Sequence, residues 1–154
     1  MKLVYIAGPY RADTIEGVAE NIRKAQVIGL SLATNGHKLG VFPVIPHMNT
    51  AHFETHTLTV SQKFSAFIEP VPDEYWLQGT MALMEKCDAV LLTHPQAGIT
   101  SKGTRAEVMR AIELGIPVYD HINGLLSDLR DESTPLRSIN VLNDKREFLG
   151  SVDE

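Results

Sequence analysis

Two short, uninterrupted apolar runs constrain what this chain can fold into more than any other feature. The first is Leu3–Ala7, which Gly8-Pro9 ends, and the second is Ala89–Leu92. A strand with one face in water alternates apolar and polar residues, whereas an uninterrupted run is typical of a strand buried on both faces. Long stretches with helical spacing separate and follow these runs. The pattern therefore predicts one α/β domain with a parallel sheet and helices on both faces.

The remaining elements follow from the spacing of apolar residues and from turn residues. The first helix is predicted from about Ile15 to Thr34, with Asp13 or Thr14 as N-cap and Asn35-Gly36 as a left-handed stop. Three more helices are predicted: one capped by Asp73 or its neighbour and running to Lys86, then Lys102–Leu114 and Ile122–Leu129. Further strands are predicted at 37–42, ended by Pro43 and Pro46, at 118–119 and at Ser138–Leu142.

Composition limits the class of protein. A length of 154 residues suits a single domain, spanning 1–154, with one core. The formal net charge of −5 and the lack of a Lys/Arg run argue against binding a nucleic-acid polymer. No apolar run approaches the roughly 20 residues that a membrane helix needs. Because Cys87 is the one cysteine, no internal disulfide can form, a cytoplasmic location is predicted, and Cys87 is interpreted as a packed apolar side chain.

The stretch Ser101–Glu107 carries the strongest indication of chemistry. It follows the second apolar run and opens a predicted helix, with Glu107 one turn inside and Gly103 four residues earlier on the same face. A glycine near a helix start costs about 1 kcal/mol relative to alanine and leaves space beside the carboxylate. Thr100 or Ser101 is the predicted N-cap, where free backbone N–H groups can bind phosphate. Glu107 could attack a sugar carbon or activate water, or be a surface residue beside Arg110.

The loop after the first strand and the residue after the second offer further binding groups. Gly8 permits close backbone approach, and Arg11 either clamps a phosphate or carboxylate or is solvated in a plain turn. His47 lies at the same sheet edge and is a candidate contact for a base or sugar hydroxyl. The chain has no G-x-G-x-x-G motif or Walker loop, so no dinucleotide or ATP cofactor is predicted. The pair His52/His56 lacks the Glu of H-E-x-x-H, and no metal is predicted.

Two other polar features receive structural interpretations. Asp88, at the step into the second apolar run, is interpreted as holding a turn. The segment from Ile45 to about Pro72 has mixed composition, and we interpret it as an active-site lid or an oligomer contact.

Five motifs occur in order along the first 119 residues: Tyr5-Ile-Ala-Gly8-Pro9-Tyr10-Arg11, Pro43…Pro46-His47, Cys87-Asp88-Ala-Val-Leu-Leu, Ser101-Lys-Gly103-Thr104-Arg-Ala-Glu107 and Leu114-Gly-Ile-Pro-Val. Together they resemble the nucleoside 2-deoxyribosyltransferase-like superfamily, and within it the DUF4406-type group of small phage and bacterial proteins. Their order and spacing are more specific than any one of them.

The resemblance implies a flavodoxin-like, doubly wound parallel sheet of about five strands. It implies cleavage or transfer at the N-glycosidic bond of a small-molecule nucleoside or nucleoside 5′-monophosphate. Glu107 would be the nucleophile that forms a covalent deoxyribosyl intermediate at C1′, and Tyr5 and Gly8 would line the sugar site. A neighbouring subunit of a homo-oligomer would complete each site.

Two positions refine the implied ligand. Where Ser101 stands, the classical transferases have an Asp that binds the sugar 5′-hydroxyl, and related 5′-monophosphate N-glycosidases have a Ser that binds phosphate. Ser101, together with Arg11, therefore favours a nucleotide. The transferases also have a base-contacting Asp about ten residues before the one that corresponds to Asp88, and here that place holds Gln78. A nucleotide-binding or sensing module without turnover is therefore an alternative, and a structural protein with a blocked Glu107 is another.

Gly103-Thr104-x-x-Glu107 is also similar to the G-T-x-x-E of the cytokinin-activating phosphoribohydrolase group. In that group Pro-Gly-Gly precedes the motif, whereas this chain has Ile99-Thr100-Ser101. This resemblance ranks second, and it implies the same reaction class, cleavage of an N-glycosidic bond of a nucleotide.

Overall fold

The computed structural model describes residues 1–53, 71–133 and 136. The strands in this part are β1 (Lys2–Ala7), β2 (Val41–Val44), β3 (Ala89–Leu92) and β4 (Val118–Tyr119). Its helices are α1 (Ile15–Gly36), α2 (Pro46–Asn49), α3 (Asp73–Met84), α4 (Ala97–Thr100), α5 (Lys102–Glu113) and α6 (Ile122–Arg130), with a 3₁₀ turn at His37–Leu39. No helix among these residues is both long enough and apolar enough to cross a membrane.

The described sheet is parallel throughout, with the strand order β2-β1-β3-β4. The two uninterrupted apolar runs form its two interior strands, β1 and β3, because only interior strands are covered on both faces and both edges. This order is that of a flavodoxin-like sheet, so the predicted α/β fold is confirmed. The described sheet has four strands instead of about five, and the predicted strand Ser138–Leu142 lies outside the described residues.

Alternation along β1 decides which side chains face the candidate site. Tyr5 and Ala7 belong to the core layer that includes residues of α3 and α5. Val4 and Ile6 belong to the opposite layer, which includes residues of α1 and α6. Successive side chains of a strand point to opposite faces. The Tyr5 side chain, whose hydroxyl is the polar group of this buried run, is therefore directed toward α3 and α5.

The first helix begins as predicted but ends later. The Thr14 hydroxyl oxygen accepts a hydrogen bond from the Gly17 N–H at 3.0 Å, which confirms Thr14 as N-cap. The predicted left-handed stop at Asn35-Gly36 is wrong, because the helix includes Gly36. A Cβ there would lie 2.4 Å from Cγ1 of Val41, so this glycine is required by close packing on β2. The left-handed residue is Gly40, with φ of 70°.

The predicted end of the second strand was wrong because its position in the sheet outweighs the local signal. Pro43 does not end the second strand but lies inside β2, in register with Val4. A proline is tolerated there because β2 is an edge strand of the described sheet and has no partner for the missing N–H. The cap of α3 was predicted at Asp73 or its neighbour, and the structure has the neighbour, Pro72, in the cap position without a side-chain cap hydrogen bond. The Asp73 carboxylate instead contacts Arg11.

Candidate active site

Tyr5 and Glu107 form the central contact of the candidate site. The Tyr5 hydroxyl donates to Oε1 of Glu107 at 2.6 Å, and Tyr5 is fully buried. Glu107 is brought there because Thr104, Val108 and Ala111 form the buried stripe of α5, and Glu107 lies on the same side of that helix. A buried tyrosine normally requires a hydrogen-bond partner, and the carboxylate supplies it. The structure thus joins two residues that the sequence had singled out separately.

Burial sets the protonation of this pair. It raises the pKa of Glu107 to about 7, against hydrogen bonds from Tyr5 and Thr80 that lower the pKa. The pKa of Tyr5 lies well above its usual range, first because of burial and then because of the neighbouring Glu107 charge. Tyr5 therefore remains a protonated donor, while Glu107 can exist as acid or carboxylate near neutral pH.

Gly103 leaves room for a side chain, and Leu77 of α3 lies opposite it. Among the described residues, a Cβ on Gly103 would meet Cδ2 of Leu77 at 3.8 Å, which is an ordinary contact. Thr80, three residues after Leu77 on α3, is near enough to lower the pKa of Glu107, and its hydroxyl donates to the Leu77 carbonyl at 3.2 Å. The sequence interpretation missed both α3 residues. Their spacing of three places them on one helix face, but nothing in the sequence says that this face meets α5.

Ser101 caps α5, as predicted. Its Oγ accepts from the Thr104 N–H at 3.3 Å, whereas Thr100 donates to the Gln96 carbonyl at 3.1 Å. The first N–H groups of a helix have no intrahelical partner, and those of Lys102 and Gly103 belong to this set. The start of α5 therefore offers backbone donors at Lys102 and Gly103.

Gly8 packs tightly against Thr93, the residue that follows β3. A Cβ at Gly8 would lie 2.2 Å from Oγ1 and 2.6 Å from Cγ2 of Thr93, closer than real atoms approach. The Thr93 N–H also donates to the Ala7 carbonyl at 2.9 Å, which extends the pairing of β1 and β3. The residue that approaches Gly8 closely in this structure is therefore Thr93, at the end of β3.

Gly8→Ala is expected to lower the free energy of unfolding by about 1–3 kcal/mol, because the added methyl overlaps the Thr93 side chain. Thr93→Ala removes two of the three clashing atoms, so the double variant should recover part of the loss. Urea denaturation of the two single variants and the double variant measures this coupling. Strictly additive losses would contradict the contact.

Arg11 joins the loop after β1 to the start of α3. Its guanidinium donates to Oδ1 of Asp73 at 2.5 Å, and both side chains are largely exposed. Asn21 on α1 also holds this loop, because its Nδ2 donates to the Tyr10 and Arg11 carbonyls at 3.2 and 3.3 Å. The sequence analysis did not predict this role of Asn21. Its position next to Ile22, in the apolar stripe of α1, was a signal that its amide could have a partner in the protein. A ligand anion at Arg11 would have to compete with Asp73.

His47 supports the same loop from α2. Only 5% of its surface is exposed, and its Nε2 lies 2.9 Å from the Pro9 carbonyl oxygen, a bond that requires the proton on Nε2. Nδ1 is buried without a hydrogen-bond partner among the described residues. Burial lowers the pKa of His47, which keeps the ring neutral. In this arrangement His47 contacts the protein backbone.

Cys87 has the packed position predicted for it, whereas Asp88 is structural in another way than the predicted turn. Oδ2 of Asp88 accepts from the Leu3 N–H at 2.7 Å, and its own N–H donates to the Leu3 carbonyl at 2.8 Å, so Asp88 ties β3 to the start of β1. Cys87 is buried, and burial raises the pKa of its thiol to about 11. A thiol with that pKa is a poor nucleophile at neutral pH.

The raised pKa of Glu107 has a consequence for stability. The folded protein holds a proton that the unfolded chain releases near its ordinary pKa of 4.5, so this stabilising contribution is lost as pH rises through about 7. Glu107→Gln removes the charge, and we expect it to be more stable than the unmodified protein at about pH 8 by roughly 1–3 kcal/mol. The difference should shrink toward about pH 5.

Chemical denaturation at both pH values measures this difference, with Glu113→Gln on the exposed side of α5 as the control. A stability difference for Glu107→Gln that does not change with pH would contradict the burial of an ionisable Glu107.

Comparison with known proteins bears on the fold. No protein-family model and no curated protein sequence matches this chain significantly. Among solved structures, a conserved protein from Enterococcus faecalis V583 is similar, with 12% identity, coverage of 97% of this chain and 89% of that chain, and a TM-score of 0.52. The 2-deoxyribosyltransferase of the psychrotolerant bacterium Bacillus psychrosaccharolyticus has 14% identity, coverage of 93% and 90%, and a TM-score of 0.45. At such identity the likeness concerns the fold alone.

Proposed function

We propose that this protein cleaves or exchanges the N-glycosidic bond of a nucleoside or nucleoside 5′-monophosphate, with Glu107 as the nucleophile. The observation that carries the proposal is the hydrogen bond from the buried Tyr5 to Glu107, one turn of α5 away from the room for a side chain at Gly103. A carboxylate has about four lone-pair positions. The hydrogen bond from Tyr5 orients it and leaves other positions for attack on a sugar carbon.

Tyr5 is the other possible nucleophile, since some glycosidases attack through a tyrosine. Its burial and the adjacent carboxylate raise its pKa far above the usual range, so its phenolate is not accessible at neutral pH. Tyr5 also has no exposed surface. Its role in this proposal is to donate to Glu107 and orient the carboxylate.

The reaction has two steps. In the first, a Glu107 carboxylate oxygen forms a bond to C1′ while the bond from C1′ to the base nitrogen breaks, and the base leaves with the electron pair and takes a proton from solvent. In the second, a new base or water attacks C1′, the sugar ester breaks, and Glu107 returns as a carboxylate after the attacking group loses its proton. Two displacements at one carbon retain its configuration.

A nucleotide is the preferred substrate in this proposal. Ser101 supplies a hydroxyl at the start of α5, and backbone N–H groups at a helix start favour phosphate. Arg11 would add a cation once phosphate replaces its Asp73 partner. Completion of the site by a neighbouring subunit stays a prediction, as do Gly8 as a sugar contact and His47 as a base contact.

The test is incubation of the purified protein with a panel of nucleosides and their 5′-monophosphates, with and without an acceptor base, followed by chromatography of released or exchanged base. Release or exchange from any member supports the proposal, and faster turnover of monophosphates supports the role of Ser101. Thermal stabilisation by a nucleotide without product would favour the binding module instead. No product and no stabilisation at millimolar ligand would overturn both.

A further inference from the structure

The ion pair between Arg11 and Asp73 joins the loop after β1 to the first turn of α3. Asp73 is the first residue of α3, and its Oδ1 accepts a hydrogen bond from Nη2 of Arg11 at 2.5 Å. The two side chains are 71% and 62% exposed, so a solute can reach both of them. The proposed reaction uses Arg11 as a phosphate contact but gives Asp73 no role.

The backbone at Arg11 is held independently of that ion pair. Nδ2 of Asn21, on α1, donates to the carbonyl oxygens of Tyr10 and Arg11 at 3.2 and 3.3 Å. A carbonyl oxygen only accepts, so both hydrogen bonds come from the amide nitrogen and use both of its protons. Loss of the Asp73 contact therefore frees the guanidinium of Arg11 while its main chain stays anchored to α1.

Asp73 lies close to the start of α5, where the substrate phosphate is proposed to bind. Leu77 is one helical turn after Asp73 on the same face of α3, with roughly 5–6 Å between their Cβ atoms. Cδ2 of Leu77 would lie 3.8 Å from a Cβ on Gly103, in the first turn of α5. The long side chain of Arg11 can therefore turn from Asp73 toward a phosphate at the start of α5.

A substrate phosphate is a stronger partner for Arg11 than the Asp73 carboxylate. An exposed ion pair contributes little, because water screens its charges and the pair must order two side chains. A phosphate monoester carries about 1.5–2 negative charges near neutral pH and three acceptor oxygens, which a guanidinium can bind in a bidentate way. A phosphate attached to a bound nucleoside also has a high effective concentration beside Arg11. It can displace Asp73, but it must first break the existing pair.

We propose that Asp73 is a specificity-determining residue, an internal competitor that occupies Arg11 when the ligand carries no phosphate. A nucleoside leaves the Arg11–Asp73 pair intact, whereas a nucleoside 5′-monophosphate breaks it to gain the contact with Arg11. Asp73 therefore lowers the affinity for the monophosphate and leaves the affinity for the nucleoside unchanged, which brings the two affinities closer together. The inference rests on the nucleotide substrate of the proposed function.

The experiment measures Kd by calorimetry for the common 2′-deoxynucleosides and their 5′-monophosphates, in the Glu107→Gln background so that no ligand is consumed. We expect Asp73→Asn to tighten monophosphate binding by about three- to fivefold, the scale of an exposed ion pair, and to leave nucleoside binding unchanged. Arg11→Gln should weaken monophosphate binding by about tenfold or more, because it removes a hydrogen bond between charged groups.

Two controls separate competition for Arg11 from general charge repulsion. Glu74→Gln removes the next acidic charge of the same helical turn without freeing Arg11, and its gain should be less than half that of Asp73→Asn. In the Arg11→Gln background, Asp73→Asn should give no more than the Glu74→Gln gain, because no guanidinium is left to compete for. Thermal melting of each variant verifies that the fold is retained.

Three results would overturn the inference: no gain in Asp73→Asn, an equal gain in Glu74→Gln, or a full gain that persists in the Arg11→Gln background. Failure of every monophosphate to bind would overturn both the inference and the proposed function. The expected gain in a protein that releases no base from any substrate would overturn the proposed reaction alone. Base release without that gain would overturn the inference and leave the proposed function standing.

Discussion

Replacement of Glu107 by Gln is expected to lower base release or exchange by about 10³-fold or more, the scale seen when an attacking residue is removed. The amide keeps the size of the side chain, and its oxygen can still accept the 2.6 Å hydrogen bond from Tyr5. It carries no charge and cannot form the sugar ester. Chromatography of the released base measures the rate, and intact-mass analysis after rapid quenching detects the covalent sugar on the unmodified protein.

Glu113→Gln is the matched control for this variant. Glu113 lies on the same helix, its side chain is 61% exposed, and it pairs with Arg110. Its replacement should change turnover by about twofold at most, as for other exposed ion pairs. Full activity in Glu107→Gln would contradict the nucleophile role, and a sugar adduct that persists in that variant would place the attack on another residue.

Gly103→Leu is expected to block turnover without unfolding the protein. A Cβ at this position makes one ordinary contact, with Leu77 at 3.8 Å, so the backbone accepts a side chain. The longer leucine then fills the space beside Glu107 where the sugar would lie. We expect kcat/KM to fall by about 100-fold or more, since small misplacements of a reacting group cost that much. Steady-state kinetics and a thermal melt of the same sample separate the two effects.

Gly103→Ala is the smaller substitution at this position, and Gly124→Ala on α6 is its matched control. A Cβ at Gly124 would also make an ordinary contact, with Tyr119 at 3.6 Å. Each alanine should stabilise its helix by up to about 1 kcal/mol, but only Gly103→Ala should reduce turnover. Normal kinetics in Gly103→Leu would show that this space is not the substrate site.

The sequence predicted well those features that depend only on residues within one helix or strand. The runs Leu3–Ala7 and Ala89–Leu92 became the two interior strands, and Thr14 and Ser101 became N-caps. These features depend on residues within a few positions of one another. Buried strands need continuous apolar side chains, and a cap needs a hydroxyl one turn before the N–H it binds.

Local signals failed where a distant element decided the outcome. Asn35-Gly36 resembles a helix stop, but Gly36 is a glycine because Val41 packs too closely against it for a Cβ. Pro43 resembles a strand end, but an edge strand accommodates it. Asp73 resembles a cap, but Arg11 binds its carboxylate. In each case the residue type does mark a special position, but the contact or strand position that accounts for it involves a distant part of the chain.

The sequence by itself determined the parallel α/β framework, the cap at Ser101 and a glutamate with a glycine one turn before it. Only the tertiary structure decided that Glu107 meets Tyr5, that Leu77 of α3 lies opposite Gly103, and that Thr93 packs against Gly8. The physical reason is the separation of the partners. Tyr5 and Glu107 are 102 residues apart, and their contact depends on the face that Tyr5 takes in β1 and on the rotation of α5 over that face. The packing of the whole core sets that rotation.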